Sequence, residues 1–371
     1  HLWGKPYFYK YKMIKRILYT LLIMFPVVAS AQINTDRVMA IGRNALYFED
    51  YVLSIQYFNQ VINAKPYLSD PYFYRGLAKI NLDDFQGAES DCSEAIERNP
   101  FVVSAYQVRG LARIQQNNFA GAIEDYTKAL EFAPENIGVW HNMALCRIRQ
   151  EDYKGAKNDL DKLIAISPRY TKAYLMRGEV DLKQKDTLAA EKDFGKAIEI
   201  DRYDADTWAS RAILRLQQQR YKDAEADFDH AIRLSTRNSG VYINRALARY
   251  HQNNLRGAMS DYDIALDIDP NNFIGHYNRG LLRAQVGDDN RAIQDFNFVI
   301  EMEPDNMMAI FNRGLLLDQT GDYKGAIKDY STVINEYPNF LLGYQYRAQA
   351  RRKIGDVKGA DADEFKVLKA Q

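Results

Sequence analysis

Two residue types recur at a spacing that lets them act together. Arginine stands at Arg75, Arg109, Arg177, Arg211, Arg245, Arg279, Arg313 and Arg347, with steps of 34 or twice that. Aspartate stands at Asp91, Asp125, Asp159, Asp193, Asp227, Asp261, Asp295, Asp329 and Asp363, each 16 residues after the matching arginine where there is one. A guanidinium facing a carboxylate forms a forked pair of charge-assisted hydrogen bonds. Regular placement of opposite charges favours a structural ladder, with Arg245, Arg279, Arg313, Asp227, Asp261, Asp295 and Asp329 at its centre. A third type is asparagine, at Asn142, Asn244, Asn278 and Asn312. A side-chain amide presents donor and acceptor side by side and can pair with both groups of an extended backbone. The usual catalytic signatures are missing: there is no Gly-rich phosphate loop, no Gly-x-Ser-x-Gly and no His-Glu-x-x-His. The histidines His1, His141, His230, His251 and His276 never stand four apart, so no zinc site is expected. Cys92 and Cys146 are expected as buried free thiols. No enzyme activity, metal or cofactor is expected.

The spacing belongs to the whole chain. From Thr35 the sequence repeats every 34 residues without a gap, in copies starting at 35, 69, 103, 137, 171, 205, 239, 273, 307 and 341. With Thr35 as column 1, column 8 is always Gly or Ala, from Gly42 to Ala348. Column 20 is Ser54 and then Ala in every later copy. Aromatics fill much of column 4 (Tyr72, Tyr106, Trp140, Tyr174, Trp208, Tyr242, Tyr344) and column 24. Columns 15 and 16 are turn-like, as in Asn117-Asn118 and Gly321-Asp322. Column 32 is proline in seven copies, with Arg202 and Thr236 as exceptions. Proline lacks an amide donor and ends a helix. The apolar columns fit helical spacing, so each copy is expected to be an antiparallel helix pair. One pair cannot cover its own apolar face, and stacking on a neighbour does so. In such a pair columns 7 and 23 lie at the same height, opposite each other within a copy or across to the next.

This pattern resembles the tetratricopeptide repeat family, most closely in Tyr242-Ile-Asn-Arg-Ala-Leu-Ala-Arg-Tyr250 and Gly321-Asp-Tyr-Lys-Gly-Ala-Ile-Lys-Asp-Tyr330. The resemblance covers residues 35–371. It implies an all-α, right-handed superhelical solenoid of about ten helix-turn-helix units whose first helices line a concave groove. It also implies protein or peptide partners, because the family is a general scaffold for protein contacts. The groove-lining positions implied include the four asparagines, together with His141, Tyr277 and Phe311. An asparagine ladder of this kind is similar to that in the repeats of O-linked N-acetylglucosamine transferases. The family's carboxylate clamp for chaperone tails does not match: no column 5 is Lys, no column 9 is Asn, and Lys172 is accompanied by Met176. Binding of a chaperone C-terminal tail is therefore not expected.

Composition and charge set the remaining limits. The 371 residues are 47% apolar and 26% charged, which argues for an ordered chain. Lys plus Arg and Asp plus Glu are each 49. Lys5, Lys10, Lys12, Lys15 and Arg16 precede any acid, so the body from residue 32 is mildly acidic. Nucleic-acid binding is not expected of such a body. Residues 1–12 stand upstream of Met13 as an extension or an early start. Residues 13–31 have a basic start, an apolar run from Ile17 to Val28 and a small-residue end at Ala29-Ser30-Ala31. That order is expected of a secretory signal peptide cleaved before Gln32. A membrane span needs roughly 20 apolar residues, more than this run supplies. The expectation is an exported scaffold, periplasmic or secreted, with no membrane insertion of the mature chain. The alternatives are an assembly factor of a cell-envelope complex using its outer or edge surfaces, or the regulatory part of a longer chain.

Overall fold

The structure is a computed structural model that describes residues 33–370 except Thr236. The expected extension and signal peptide, residues 1–31, lie outside the described residues. Among the described residues there are twenty α-helices and no strand. The chain divides into two compact units at Pro134 and Glu135. The first unit holds three helix pairs: α1 (Thr35–Tyr47) with α2 (Tyr51–Ala64), α3 (Asp70–Ile80) with α4 (Phe85–Arg98), and α5 (Val103–Gln115) with α6 (Phe119–Phe132). The second unit holds seven. They are α7 (Ile137–Arg149) with α8 (Tyr153–Ile166), α9 (Thr171–Lys183) with α10 (Thr187–Ile200), and α11 (Ala205–Gln217) with α12 (Tyr221–Leu234). Then come α13 (Ser239–His251) with α14 (Leu255–Ile268), and α15 (Phe273–Gln285) with α16 (Asp289–Met302). The last are α17 (Met307–Thr320) with α18 (Tyr323–Glu336), and α19 (Leu341–Lys353) with α20 (Val357–Leu368).

Each helix pair is made by small residues facing rings. Ala at column 20 is completely buried in all nine copies that carry it, for instance Ala258 and Ala326. Column 8 lies against the column-24 ring of the same hairpin. A Cβ on Gly178 would sit 2.6 Å from the Phe194 ring, so only a small residue lets the helices approach this closely. Phe58, Phe194, Phe228 and Phe296 are buried there without exposure. At about 25 cal/mol per Å² of apolar surface, each such ring stabilises its hairpin by roughly 2–3 kcal/mol.

The turn between paired helices has one backbone solution, used ten times. Column 15 takes a left-handed φ in every copy, between 60° and 63° at seven non-glycine residues and between 80° and 93° at Gly287, Gly321 and Gly355. Column 16 then caps the second helix. The Asp322 carboxylate accepts the Gly325 amide at 3.0 Å, and Asn118, Asp152, Asn254 and Asp356 do the same in their hairpins. Such caps satisfy one of the orphan N–H groups of the first turn. Arg220 occupies the cap position of α12 without a capping bond.

Successive hairpins stack within each unit. Within each unit every second helix packs on the first helix of the following hairpin, as α2 on α3 and α14 on α15. First helices also touch one another: α1 with α3, α3 with α5, α11 with α13, α15 with α17, and α17 with α19. No contact of that extent joins second helices. Within each unit the first helices therefore form the inner layer. Cys92 and Cys146 are buried free thiols, and burial pushes them up to about 12 and about 11 respectively.

Because non-glycine residues in the left-handed region are strained by roughly 1–2 kcal/mol, Gln219→Gly is expected to raise unfolding free energy by about 0.5–1 kcal/mol after glycine's own entropy is counted. Gly321→Ala is expected to lower it by about 1 kcal/mol. Urea titration of both variants against the parent checks the pair of signs.

Candidate functional site

What positions the inner layer is a repeated arginine staple. Arg245 Nε and Nη2 donate to Asp261 Oδ2 and Oδ1 at 2.9 and 2.6 Å, within one hairpin. Its third group, Nη1, donates to Asp229 of the preceding hairpin at 2.7 Å. The same fork joins Arg279 to Asp295, Arg313 to Asp329 and Arg211 to Asp227. The Nη1 of Arg279 reaches Asp263, and that of Arg313 reaches Asn297. In the first unit Arg75 and Arg109 fork onto Asp91 and Asp125, with Nη1 on Asn59 and Ser93. The aspartates are nearly inaccessible, with Asp261 only 1% exposed. Burial alone would lower the Arg245 pKa, but Asp261 and Asp229 outweigh it and raise it. At Asp125 burial is the larger effect and lifts the carboxyl above its usual range against the pull of Arg109.

A second basic residue, at column 11, completes most of these carboxylates. Arg249 Nη1 donates to Asp261 Oδ2 at 2.9 Å, and Arg283 Nη1 to Asp295 Oδ2 at 2.7 Å. Arg249 Nε also reaches back to Glu225 at 2.7 Å, as Arg113 does to Glu89 and Arg215 to Glu191. In one place the signs are exchanged: Lys157 Nζ donates to Asp181, where other hairpins have a glutamate and an arginine. Exchange of both charges keeps the attraction, so column 11 serves the joint between hairpins rather than a ligand. Sequence reasoning had found columns 7 and 23 but not columns 11 and 25. The signal was there, since Asp161, Asp229 and Asp263 recur at column 25.

Around the four asparagines the first helices carry mostly amide and aliphatic side chains, while Glu179 on α9 keeps a carboxyl there, its pKa raised by desolvation. Asn142, Asn244, Asn278 and Asn312 all lie half-buried on first helices of the second unit. Asn312 Nδ2 donates to the Tyr277 hydroxyl at 3.1 Å, which brings those two together. The amides of Asn244 and Asn278 have no hydrogen-bonding partner among the described residues. One turn further along the helices lie Leu247, Leu281 and Leu315, with Leu281 40% exposed. His141 is engaged by Tyr170, whose hydroxyl lies 3.3 Å from Nδ1, and burial lowers its pKa. Phe311 is packed among Tyr330, Phe340 and Tyr346, with ring centroids 5.1 to 5.8 Å away. Its ring faces are taken up inside the stack. Ile243, in the same column as Tyr277 and Phe311, is buried outright at 7%.

Among the described residues no group of three His, Cys, Asp or Glu is placed to hold a metal ion. No helix among them is long and apolar enough to cross a membrane.

Comparison with known proteins agrees with this geometry. Three family profiles, each described as tetratricopeptide repeat, match residues 103–136, residues 137–170 and 171–204, and residues 210–273 and 277–339. Together they span more than half of the chain, and the protein belongs to the tetratricopeptide repeat family. Among curated proteins none matches the sequence. Of solved structures, a tetratricopeptide repeat protein from Parabacteroides merdae is 21% identical with a TM-score of 0.52, over 67% of this chain and 98% of that one. The PilF protein of Pseudomonas aeruginosa is 19% identical with a TM-score of 0.50, over 58% of this chain and 97% of that one. Likeness at this level concerns the fold, an all-α repeat solenoid.

Removing one partner of a buried charge pair leaves the other uncompensated, which costs about 3–5 kcal/mol. Asp261→Ala takes the shared acceptor from Arg245 and Arg249, which keep Asp229 and Glu225, and is expected to destabilise by about 2–3 kcal/mol, below that limit. Hydrogen exchange should show the loss concentrated in α13 and α14. An unchanged urea midpoint would sink the idea that the staple holds the hairpins.

Proposed function

We propose that this protein is a non-enzymatic scaffold that holds an extended protein segment along the inner, first-helix face of its second unit. The observation that carries the reading is the pair of half-buried amides, Asn244 and Asn278, without partners among the described residues. Semi-buried polar groups are ordinarily paired, and an unpaired amide is a ready acceptor and donor for a peptide group. Asn312, already touching Tyr277, extends the row by one hairpin. The adjacent leucines supply apolar area for alternate side chains of the segment. Around Asn244 and Asn278 the neighbours are amide and aliphatic, so such binding would read backbone and apolar side chains more than charge. Membership of a family built for protein contacts supports the coarse reading, and the groove is our specific addition.

Replacing Asn244, Asn278 and Asn312 together by Ala is expected to leave helicity intact and to weaken capture of crosslinked partners from the native envelope fraction at least tenfold, as loss of a few central contacts does. Capture at the parental level, with folding retained, would reject the groove.

We also propose that the protein is exported. The basic, apolar and small-residue order of residues 13–31 supports this. Amino-terminal sequencing of the protein from its native source should begin at Gln32. A chain that retains Met13 to Ala31 would refute cleavage there.

A further inference from the structure

The ten hairpins serve as controls for one another, since the same column can be compared across copies. Two departures from the common pattern are complementary in shape and charge. The first is the turn of the first hairpin. Column 13 is polar in all nine later copies but is Tyr47 in the first, followed by Phe48. Both rings stand out of the protein, 79% and 76% exposed, edge to face at 5.2 Å. Glu49 and Asp50 follow directly, so the tip is aromatic and acidic. It is also held in shape, because Glu49 takes the left-handed corner and Asp50 caps α2.

The second departure lies on the outer side of the second unit. A notch of about 510 Å³ opens between α10 and α12 along the linker that precedes α11. Ile198 forms its apolar floor, and Trp208 stacked on His230 at 4.2 Å forms a wall. Trp208 is fixed by its indole N–H, which donates to the Arg202 carbonyl at 2.9 Å. Arg202, Tyr203 and Arg233 make the rim. Equivalent notches exist elsewhere, but their chemistry differs. The one beside Pro66 is lined by Tyr67, Glu94, Glu97 and an Arg98 already held by Glu94, and the one beside Asn339 has lysines and no ring. Column 29, which is Arg233 here, is acidic at Glu97, Glu131, Glu199, Asp267 and Glu301. Column 32, usually proline, is Arg202. Neither arginine has a carboxylate partner among the described residues, whereas Glu199 is already held by Lys196 at 3.0 Å.

We propose that the first-hairpin turn of one molecule docks into this notch on a second copy of the same chain. Tyr47 and Phe48 lie against Trp208, His230 and Ile198, and Glu49 faces Arg202 and Arg233. Aromatic anchors in an aromatic- and arginine-lined pocket are the composition that dominates protein interfaces. Each molecule offers one turn and one notch, so the contacts either close reciprocally in a two-fold dimer or run on into rings and open chains.

Sedimentation of the full chain over a range of concentrations tests this. The parent protein should grow in mass with concentration, to a dimer at least. Tyr47→Ser with Phe48→Ser, and separately Arg202→Glu with Arg233→Glu, should each weaken association at least about tenfold. Both sets are exposed residues, so folding is retained. An equimolar mixture of the two should form a one-to-one dimer that grows no further, since one intact turn meets one intact notch. Glu49→Lys should weaken self-association, and mixing it with the Arg202→Glu, Arg233→Glu variant should restore it. The backbone tolerates that change, because Lys185 occupies the same left-handed corner in another hairpin. A parent protein that stays monomeric throughout, single variants that associate like the parent, or a mixture without the one-to-one species would each overturn the proposal. None of these results bears on the inner face, so the groove stands or falls separately.

Discussion

The structure depends on a guanidinium that serves two hairpins at once. A buried aspartate such as Asp261 loses its water, and the ion regains that energy only through several well-placed donors. Arg245 supplies two in a planar fork and then spends a third N–H on Asp229 of the hairpin before it. Lysine could not do this, since its single ammonium lacks the fork that fixes both directions. The consequence is that a hairpin is electrostatically incomplete by itself, as well as apolar on its stacking face. Stability is then a property of neighbours, which is the expected behaviour of a one-dimensional array. The exchanged pair Lys157 and Asp181 shows that the joint requires opposite signs but not a particular direction.

This division of labour explains the character of the inner face. The staple charges are committed between helices, and beside Asn244 and Asn278 what remains open is amide and aliphatic. Asn244 and Asn278 stand beside a ladder whose own charges are paired. On the proposed reading, these two amides are where a bound backbone would bring its own N–H and C=O groups.

The same regularity makes departures informative. Phe311 and His141 carry residue types suited to a groove, yet each is spent on a neighbour: one in a cluster of rings, the other against Tyr170. Conversely, Arg202 and Arg233 break the consensus of their columns without a carboxylate partner among the described residues, and Tyr47 and Phe48 do so with both rings exposed. In a repeat protein the consensus describes what holds the fold, and the unexplained exceptions are where a particular chain acquires its own contacts.

The period of 34, the small residues at columns 8 and 20 and the turn at columns 15 and 16 were legible without coordinates, because helix pairing is a local, repeated problem with one local answer. The facing of columns 7 and 23 was legible for the same reason, since antiparallel helices equate residues equidistant from their turn. Which half-buried asparagine keeps a free amide, which ring turns inward, and which third acceptor takes the arginine's remaining N–H were decided only by stacking. Those outcomes depend on residues a whole repeat away, and a side chain in a column has no orientation until the next hairpin is in place.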